Sequence, residues 1–258
     1  MDVGLSIVVP CYNESKNLAK LLEAFAQTLA GRDGVELILV DNGSRDDTPS
    51  QLRRLLDGGK YPFARGVRVE VNQGYGWGIT EGLRSARGEF LAWTHADMQT
   101  PPADVLRAYD RILAMPEPAG SLVCAYRVGR PIFDQLFTWA MGCIASVALR
   151  SRLSHVNAQP KLFHRSFMAE LANAPKDFTL DLFLLHRGNQ AGLDVCRVPV
   201  RFDRRTAGEA KGGGSLIGKY HLSKRTLGQI RQLRRSLADG RVGGTASPAL
   251  AQPARRAA

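Results

Sequence analysis

Short apolar segments and helical apolar stripes alternate along the first half of the chain. An apolar run without polar residues is typical of a strand buried on both faces of a parallel sheet. A stripe that repeats every three or four residues is typical of a helix packed against such a sheet. The strand segments, one of which alternates with polar residues, are residues 5–9, 35–40, 67–71, 89–93 and 122–126.

Helices are predicted between these strands, and polar residues mark where two of them begin. Ser15 precedes the apolar stripe of the first helix and is positioned to cap it. The second helix opens at Thr48, where TPSQ has the form of a capping box with proline in the first turn. Further helices are predicted at residues 79–86 and 102–114. This alternation predicts an α/β protein with a mostly parallel, doubly wound sheet and helices on both faces.

The second half of the chain is less regular, and its end is basic. Its predicted elements are helix Ile132–Leu149, strand Lys161–His164, a helix at 180–191, a strand at 195–202 and a basic helix at 216–237. Residues 201–258 hold thirteen Lys and Arg against three acidic residues, a surplus of ten within a net charge of +11. We expect a domain at 1–212, with a donor half at 1–115 and an acceptor half at 116–212, then a basic helix at 213–239 and a disordered tail at 240–258.

Composition narrows the setting in which the protein works. The sequence has no uncharged apolar run of about 20 residues, so no membrane span is expected, and no signal peptide is evident. The four cysteines are widely spaced, which argues against a zinc site and suits the reducing cytoplasm. The basic end suits phosphate groups or an anionic membrane surface, although a solvated basic tail is the alternative.

Carboxylates follow two of the predicted strands. Asp41 ends the segment LILVD, and Asp97 follows the strand in FLAWTHAD. Ligands bind beyond the carboxyl ends of the strands in doubly wound sheets, and a carboxylate there suits a ribose, a base or a metal. The alternative for each residue is a helix N-cap. The candidate site is therefore expected in the loops that follow the strands.

Three segments resemble the family 2 glycosyltransferases, whose fold is called GT-A. They read IVVPCYNESKNL, ILVDNGSRDDT and NQGYGWGITEGLRSARGEFLAWTHADMQTPP, and they follow the family's order and spacing between residues 7 and 102. The resemblance implies transfer of a sugar from a nucleotide-sugar donor. The donor pocket that it implies contains Pro10, Tyr12, Asn13, Glu14, Asp41, Asn42, Gln73, Gly74, Ala96 and Asp97.

The HAD segment, residues 95–97, stands where this family has its DxD motif. The resemblance implies that it holds Mg²⁺ or Mn²⁺ against the donor diphosphate, and that Asp97 is catalytic. A cation stabilises the negative charge that builds on the leaving diphosphate. His95 replaces the first aspartate, and imidazole favours Mn²⁺ over Mg²⁺. The expected metal ligands are His95, Asp97 and Gln99, although His95 could instead only hydrogen-bond the donor.

Two later segments, NAQPKLFHRSF and FTLDLFLLHRGNQAGLDVCRVPVRFDRRTAGEAKGG, look like the polyprenyl-phosphate glycosyltransferase branch. This resemblance implies a lipid-phosphate acceptor, and phosphate recognition requires cations. His155 stands where the branch often has an aspartate, and Ala210 replaces the serine of its final motif. The candidate acceptor-binding residues are Arg127, Arg130, Lys161, Arg205 and Lys211.

Asp181 has three interpretations. Relatives with hydroxyl acceptors have a general base near this place, so Asp181 could be catalytic in that role. An anionic lipid phosphate needs no base, and Asp181 could then organise the phosphate site. A carboxylate also suits the first turn of any helix because of the helix dipole.

Three other classes of protein compete with a glycosyltransferase. Gly74, Gly76 and Gly78 imitate the dinucleotide fingerprint of an oxidoreductase, but their spacing is G-x-G-x-G. The basic end suggests nucleic acid, but no nucleic-acid-binding motif is present, and we expect no such partner. The histidine at position 95 also allows a relative that binds nucleotide sugars without catalysis.

Overall fold

The computed structural model describes residues 2–201 and 216–242. One seven-stranded sheet runs through it in the order β3-β2-β1-β4-β6-β5-β7. The strands are β1 Leu5–Cys11, β2 Val35–Asn42, β3 Ala64–Val69, β4 Phe90–Trp93, β5 Ser121–Val128, β6 Lys161–His164 and β7 Asp194–Arg201. The helices are α1 Leu18–Leu29, α2 Thr48–Asp57, α3 Tyr75–Ser85, α4 Ala103–Leu113, α5 Ile132–Leu149, α6 Leu180–Gln190 and α7 Leu216–Ala238, with short 3₁₀ helices at Pro118–Gly120 and Arg165–Leu171.

The sheet is parallel except at one strand. β6 runs antiparallel to both of its neighbours, β4 and β5, and lies between them. The remaining strand pairs are parallel, as the alternation of strands and helices predicts. β6 therefore joins the first four strands to β5 and β7 in one continuous sheet.

Helices cover both faces of the sheet, and the central strands supply apolar residues to both. Ile7 packs in the core with α1, α2 and α4, whereas its neighbour Val8 packs in the core with α3, α5, α6 and α7. Successive strand residues point to opposite faces, so a strand covered on both sides must be apolar throughout. The doubly wound α/β fold predicted from the sequence is confirmed.

Two predicted helix caps are wrong. The N-cap position of α1 is Asn17, and the backbone N–H of Ser15 donates instead to Asp46 Oδ2 at 3.3 Å. The N-cap position of α2 is Asp47, and Thr48 Oγ1 accepts the backbone N–H of Glu14 at 2.9 Å. The Ser15 backbone N–H and the Thr48 side chain thus join two loops that are distant in sequence.

β3 and α3 start three or more residues earlier than predicted, whereas the other predicted boundaries are off by at most two residues. β3 begins and ends earlier than the segment 67–71, and α3 begins at Tyr75 rather than at residue 79. Glycine disfavours helix, so the glycines at the start of α3 hid its first turn. No helix among residues 2–201 and 216–242 has the length and apolar character that a membrane crossing requires. The predicted tail lies mostly outside the described residues.

Candidate active site

Three parallel strands end at the same edge of the sheet and bring the candidate donor residues together. In β1 and β2, Cys11 pairs with Asp41, so the loops that follow start side by side. β4 lies on the other side of β1, and the HAD segment follows it directly. The topology therefore gathers residues 10–14, 41–44 and 94–99 at one edge, as expected for a doubly wound sheet.

Hydrogen bonds fix the loop after β1 against the loop after β2. The Asn13 backbone N–H donates to Ser44 Oγ at 3.1 Å, and Asn13 Oδ1 accepts the N–H of Arg45 at 2.9 Å. Asn13 has a φ of 57°, which asparagine tolerates better than most residues. Glu14 Oε2 accepts from Asn17 Nδ2 at 2.6 Å. Pro10 and Tyr12 flank this cross-linked loop, which is held in place before any ligand arrives.

Asp41 and Asn42 end β2 with buried oxygens that no described hydrogen bond satisfies. Asp41 Oδ1 accepts the N–H of Ser44 at 3.0 Å, while Oδ2 is 3.9 Å from Arg68 Nη1 and accepts no hydrogen bond from residues 2–201 and 216–242. The amide of Asn42 donates to the Gly74 carbonyl at 2.9 Å, and its Oδ1 also lacks a partner among the described residues. A buried acceptor without a donor is costly, so these oxygens suit a ligand that brings N–H or O–H groups.

The glycines at the start of α3 make room for protein rather than for a phosphate. Gly74 has a φ of +123°, and a Cβ there would lie 2.3 Å from the carbonyl oxygen of Lys176. A Cβ on Gly76 would lie 2.3 Å from the carbonyl oxygen of Pro175. Gln73 contacts the same segment, because its Oε1 accepts a hydrogen bond from Lys176 Nζ at 2.6 Å. The space beside Gly74 and Gly76 is filled by the backbone of residues 175–177, so it is not available to a dinucleotide. The observation on which the oxidoreductase interpretation depended is thus explained by packing.

The HAD segment forms a tight turn after β4. Asp97 Oδ1 accepts the N–H of Gln99 at 3.1 Å, and Met98 between them has a φ of 58°. Gln99 and Ala96 are buried, whereas His95 and Asp97 are half-buried. The His95 ring lies 6.1 Å from the ring of Tyr75. His95 and Asp97 are therefore the residues of this segment with access to the cleft.

A divalent cation at this turn would have fewer than three His, Cys, Asp or Glu ligands from the described part of the chain. Among residues 2–201 and 216–242, no group of three His, Cys, Asp or Glu side chains is arranged to hold a metal. One carboxylate and one imidazole nevertheless form an acceptable partial donor set for a transition-metal ion. Oxygens of a bound diphosphate would complete the coordination, so the residues fit a cation that arrives with the donor.

Asp181 lies behind the turn in a buried polar cluster. Its side chain is 3% exposed, and Oδ1 accepts from Gln159 Nε2 at 2.8 Å and from Trp93 Nε1 at 3.2 Å. Gln159 also contacts the Tyr75 hydroxyl at 3.2 Å. Burial raises the pKa of the Asp181 carboxyl, and Lys161, Gln159 and Trp93 oppose that shift. Asp181 is thus enclosed by protein groups rather than open to an acceptor.

The candidate acceptor cations do not form one cluster on the surface. Lys161 is fully buried, burial lowers its pKa, and its Nζ has no hydrogen-bond partner among the described residues. Burial and the charge of Arg130 lower the pKa of Arg127 to about 10, while Asp181 and Asp97 oppose the shift. Arg127 donates to the carbonyl of Asn157 at 2.7 Å, and Arg130 donates to Thr138 Oγ1 at 2.9 Å. Arg205 and Lys211 lie outside the described residues.

Three residues of this site were not predicted from the sequence: Trp93, Gln159 and Tyr75. Each contacts a candidate residue that is at least 20 positions away in the chain, so no local pattern could reveal it. The sequence feature that could have identified them is their position within the segments that resemble known glycosyltransferases. Trp93 directly precedes the HAD turn, Tyr75 lies in NQGYGWG, and Gln159 lies in NAQPK.

Comparison with known families adds an independent observation. The sequence profile described as glycosyl transferase family 2 matches residues 6–165, which is more than half of the 258-residue chain. The matched region contains the loops after β1, β2 and β4 as well as β5 and β6.

Curated relatives carry glycosyltransferase names. An undecaprenyl-phosphate 4-deoxy-4-formamido-L-arabinose transferase from Pseudomonas syringae pv. syringae (strain B728a) is 38% identical over 108 residues, which cover 40% of this chain and 31% of that protein. An uncharacterized glycosyltransferase from Mycobacterium tuberculosis (strain ATCC 25618 / H37Rv) is 27% identical over 222 residues, which cover 83% of this chain and 92% of that protein. The chain therefore spans about a third of the length of the first relative and most of the second.

Solved structures with the same fold are more distant in sequence. Glucosyl-3-phosphoglycerate synthase from Mycobacterium tuberculosis, crystallised with Mn²⁺, UDP and glucosyl-3-phosphoglycerate, has a TM-score of 0.63 at 20% identity, covering 90% of this chain and 80% of that chain. A mannosyltransferase from Pyrobaculum calidifontis in complex with GDP-Man and Mn²⁺ has a TM-score of 0.62 at 22% identity, covering 96% and 67%. At these identities the likeness shows the fold alone, and that fold is GT-A.

The family and the fold lead to the same conclusion. The matching profile begins in β1 and ends just after β6, so it contains both the cross-linked loops at the sheet edge and the HAD turn. The sheet in which these loops lie has a GT-A counterpart in each of the two solved structures. The chain therefore belongs to glycosyl transferase family 2.

Proposed function

We propose that this protein transfers a sugar from a nucleoside-diphosphate sugar to an acceptor with the help of a divalent cation. The observation that carries the proposal is the buried Asp41 Oδ2, which has no hydrogen-bond donor among the described residues and lies at the same sheet edge as the HAD turn. A nucleoside supplies the N–H and O–H groups that such oxygens lack. The relatives named as glycosyltransferases and the neighbours crystallised with UDP or GDP-Man support this function.

Asp97 and His95 are the residues that we propose hold the cation. When bound, a divalent ion stabilises the negative charge that develops on the leaving diphosphate. Asp97 offers a hard oxygen ligand whose position is set by its hydrogen bond to the Gln99 N–H. Imidazole suits Mn²⁺ better than Mg²⁺, and both of the neighbours described above were crystallised with Mn²⁺. We therefore favour Mn²⁺.

For the acceptor we propose a lipid phosphate. Arg127 lies near the end of β5, and the charge of Asp97 acts on it, which places one candidate cation near the HAD turn. The undecaprenyl-phosphate transferase among the relatives supports an acceptor of this kind. We also propose that the protein works as a peripheral enzyme at the cytoplasmic face of a membrane, where it would meet a lipid acceptor. An anionic phosphate can attack without a general base.

The alternative is a soluble hydroxyl acceptor with Asp181 as base. A general base must come within hydrogen-bond reach of the proton it removes. Asp181 is 3% exposed, and Oδ1 already accepts two hydrogen bonds, from Trp93 and Gln159. This enclosure favours the interpretation of Asp181 as an organiser of the site over its interpretation as the base.

Calorimetry with nucleotide-sugar donors tests the proposal through Asp41. UDP-, GDP- and dTDP-sugars are titrated into the full chain with and without Mn²⁺, and thermal unfolding is followed in parallel. A donor at 100 times its dissociation constant should add about 2.7 kcal/mol of stability. Asp41→Ala should weaken binding of that donor roughly tenfold or more without unfolding the protein, because the variant no longer offers a buried charged acceptor.

The matched control is Asp33→Ala, which removes an exposed carboxylate ahead of β2, at its other end. It should leave donor binding unchanged. Slow release of nucleoside diphosphate from the bound donor separates a transferase from a relative that only binds. No binding of any of these donors by the wild-type protein, or equal binding by the Asp41→Ala variant, would contradict the proposed donor site.

A further inference from the structure

The outer side of α5 is an apolar surface without a partner in the fold. Six of the nine large hydrophobic residues that are exposed in the described chain lie on this one helix, so the exposure is concentrated rather than scattered. Trp139 is 65% exposed, Phe133 77% and Val147 81%. We call this the α5 face, and it consists of Ile132, Phe133, Leu136, Trp139, Ile144 and Val147.

The α5 face runs the length of the helix. Ile132, Leu136, Trp139 and Val147 follow helical spacing along one side, over about 27 Å for eighteen residues. The opposite side is packed, since Ala145 and Leu149 are buried in the core beneath the sheet. The helix sequence contains one residue of the Asp, Glu, Lys, Arg and His group, Asp134. A contiguous apolar surface of this size on a soluble fold marks an interaction site.

Exposed cations follow α5 in the chain and lie on the helix that packs against it. Arg150 and Arg152 follow the last turn of α5 and are exposed. Helix α7 packs against α5, and its Lys224, Arg231 and Arg235 are exposed on the side away from its buried residues Ile230 and Leu233. An apolar strip bordered by Lys and Arg is the arrangement of helices that lie in the plane of a membrane interface.

We propose that the α5 face docks in the interface of an anionic lipid bilayer, with the helix parallel to the membrane plane. This inference rests on the proposed lipid acceptor and names the surface that brings the enzyme to it. Charge complementarity favours the bilayer over a second copy of this chain, because each copy would bring the same cations to the contact. Each Lys or Arg near an anionic surface adds about 1 kcal/mol of attraction.

Flotation with vesicles tests the docking surface in the full chain. Vesicles of phosphatidylcholine and phosphatidylglycerol at 3:1 should carry the wild-type protein upward at low salt, and pure phosphatidylcholine should carry much less. Phe133→Ser combined with Trp139→Ser should lower partitioning roughly tenfold or more, since two large apolar side chains no longer leave water. Leu113→Ser, an exposed leucine on α4, is the matched control and should bind like the wild type.

Tryptophan fluorescence reports whether α5 itself enters the lipid. Acyl chains brominated near the headgroup should quench part of the emission of the bound wild-type protein. Trp139→Phe should still bind but lose that quenching, because Trp93 is fully buried and Trp77 is flanked by Arg84 and Lys176. Unchanged quenching in this variant would overturn the inference. Vesicle binding that survives the double substitution would also overturn it. The same holds if the wild-type protein does not bind vesicles but forms a dimer, and the double substitution dissociates that dimer.

Two further measurements separate this inference from the proposed function. The double variant should release nucleoside diphosphate from its donor at the wild-type rate without vesicles, and it should glycosylate a short, water-soluble isoprenyl phosphate normally. Its transfer to a long-chain acceptor embedded in vesicles should fall with its binding. If the wild-type protein docks through α5 but transfers to neither acceptor, the lipid-phosphate proposal fails while the docking surface stands.

Discussion

Asp181 and Lys161 are two buried ionisable residues whose charges depend on each other. Asp181 lies in the first turn of α6, and Lys161 begins β6. Burial raises the pKa of Asp181 and lowers the pKa of Lys161, and each charge opposes the shift of the other. A buried charge without a counter-charge is strongly destabilising. The pair is therefore expected to act as a unit that keeps the floor of the site in place.

A double-mutant cycle measures this dependence. Lys161→Met and Asp181→Asn should each destabilise the fold by about 3–5 kcal/mol, because each leaves the other group buried without its partner. The double variant should lose clearly less than the sum, with a coupling of roughly 0.5–3 kcal/mol by urea denaturation. Strict additivity would mean that the two residues act independently.

Substitution at His95 tests whether this residue sets the preference of the turn after β4 for Mn²⁺ over Mg²⁺. Mg²⁺ requires hard oxygen ligands in near-octahedral geometry, so one aspartate and one imidazole serve it poorly. His95→Asp should raise the Mg²⁺-supported rate of sugar transfer relative to the Mn²⁺-supported rate. Asp97→Asn should lower the rate with either ion roughly 100-fold or more. Full activity of the wild-type protein in EDTA would remove the HAD segment from metal binding.

At the scale of elements, the start of α3 and the segment before α6 form one closely packed unit. Gly74 and Gly76 let the carbonyls of residues 175 and 176 approach, and the Trp77 N–H donates to the Lys176 carbonyl at 3.0 Å. Asn42 reaches the same place through its bond to the Gly74 carbonyl. The donor loops and the acceptor side thus share backbone contacts that leave no space for a methyl group.

Gly76→Ala tests this close packing. The added Cβ would meet the Pro175 carbonyl oxygen at 2.3 Å and the Asp177 carbonyl oxygen at 2.8 Å, so backbone must move. We expect a loss of about 1–3 kcal/mol of stability, together with weaker donor binding through displacement of Asn42. Gly58→Ala is the control, because its nearest neighbour would lie at 4.0 Å. Equal stability of the two variants in thermal unfolding would show that residues 175–177 can move away at little cost in free energy.

The elements that the sequence predicts well are those whose pattern depends on burial alone. β1, β2 and β4 appear as apolar runs because helices cover both faces of the sheet. The predicted caps of α1 and α2 failed because Ser15 and Thr48 bond across the two loops instead. The positions of Asp41 and Asp97 followed from strand ends, whereas the partners of Asp181 come from β4 and from the loop before β6. Contacts between distant segments produce no periodic pattern in the local sequence, so the sequence alone does not predict them.

At the scale of the whole molecule, β6 ties the chain into one sheet. It pairs with β4 on one side and β5 on the other, so a fragment that ends before β5 would expose an unpaired apolar edge at β4. Such an edge promotes aggregation. The donor half and the acceptor half of the sequence are therefore expected to differ in function without being separable in folding.

Fragment expression and denaturation test this unity. Residues 1–115 alone should be unfolded or aggregated, and the full chain should unfold in urea as one transition. Tryptophan fluorescence reports on the surroundings of Trp77, Trp93 and Trp139, while circular dichroism reports on all elements, so the two curves should coincide. A soluble, cooperatively folded fragment of residues 1–115 would contradict the prediction.

The segment between β5 and α5 has a kinetic consequence. The charge of Asp97 acts on Arg127, Arg130 donates to Thr138 within α5, and the helix begins at Ile132. Five residues of extended chain span at most about 18 Å, so the cleft and the α5 face are close neighbours. An enzyme held by that face would find its acceptor by lateral diffusion in two dimensions. Its rate would then follow the mole fraction of acceptor in the bilayer, and dilution with inert lipid at constant bulk concentration would slow it.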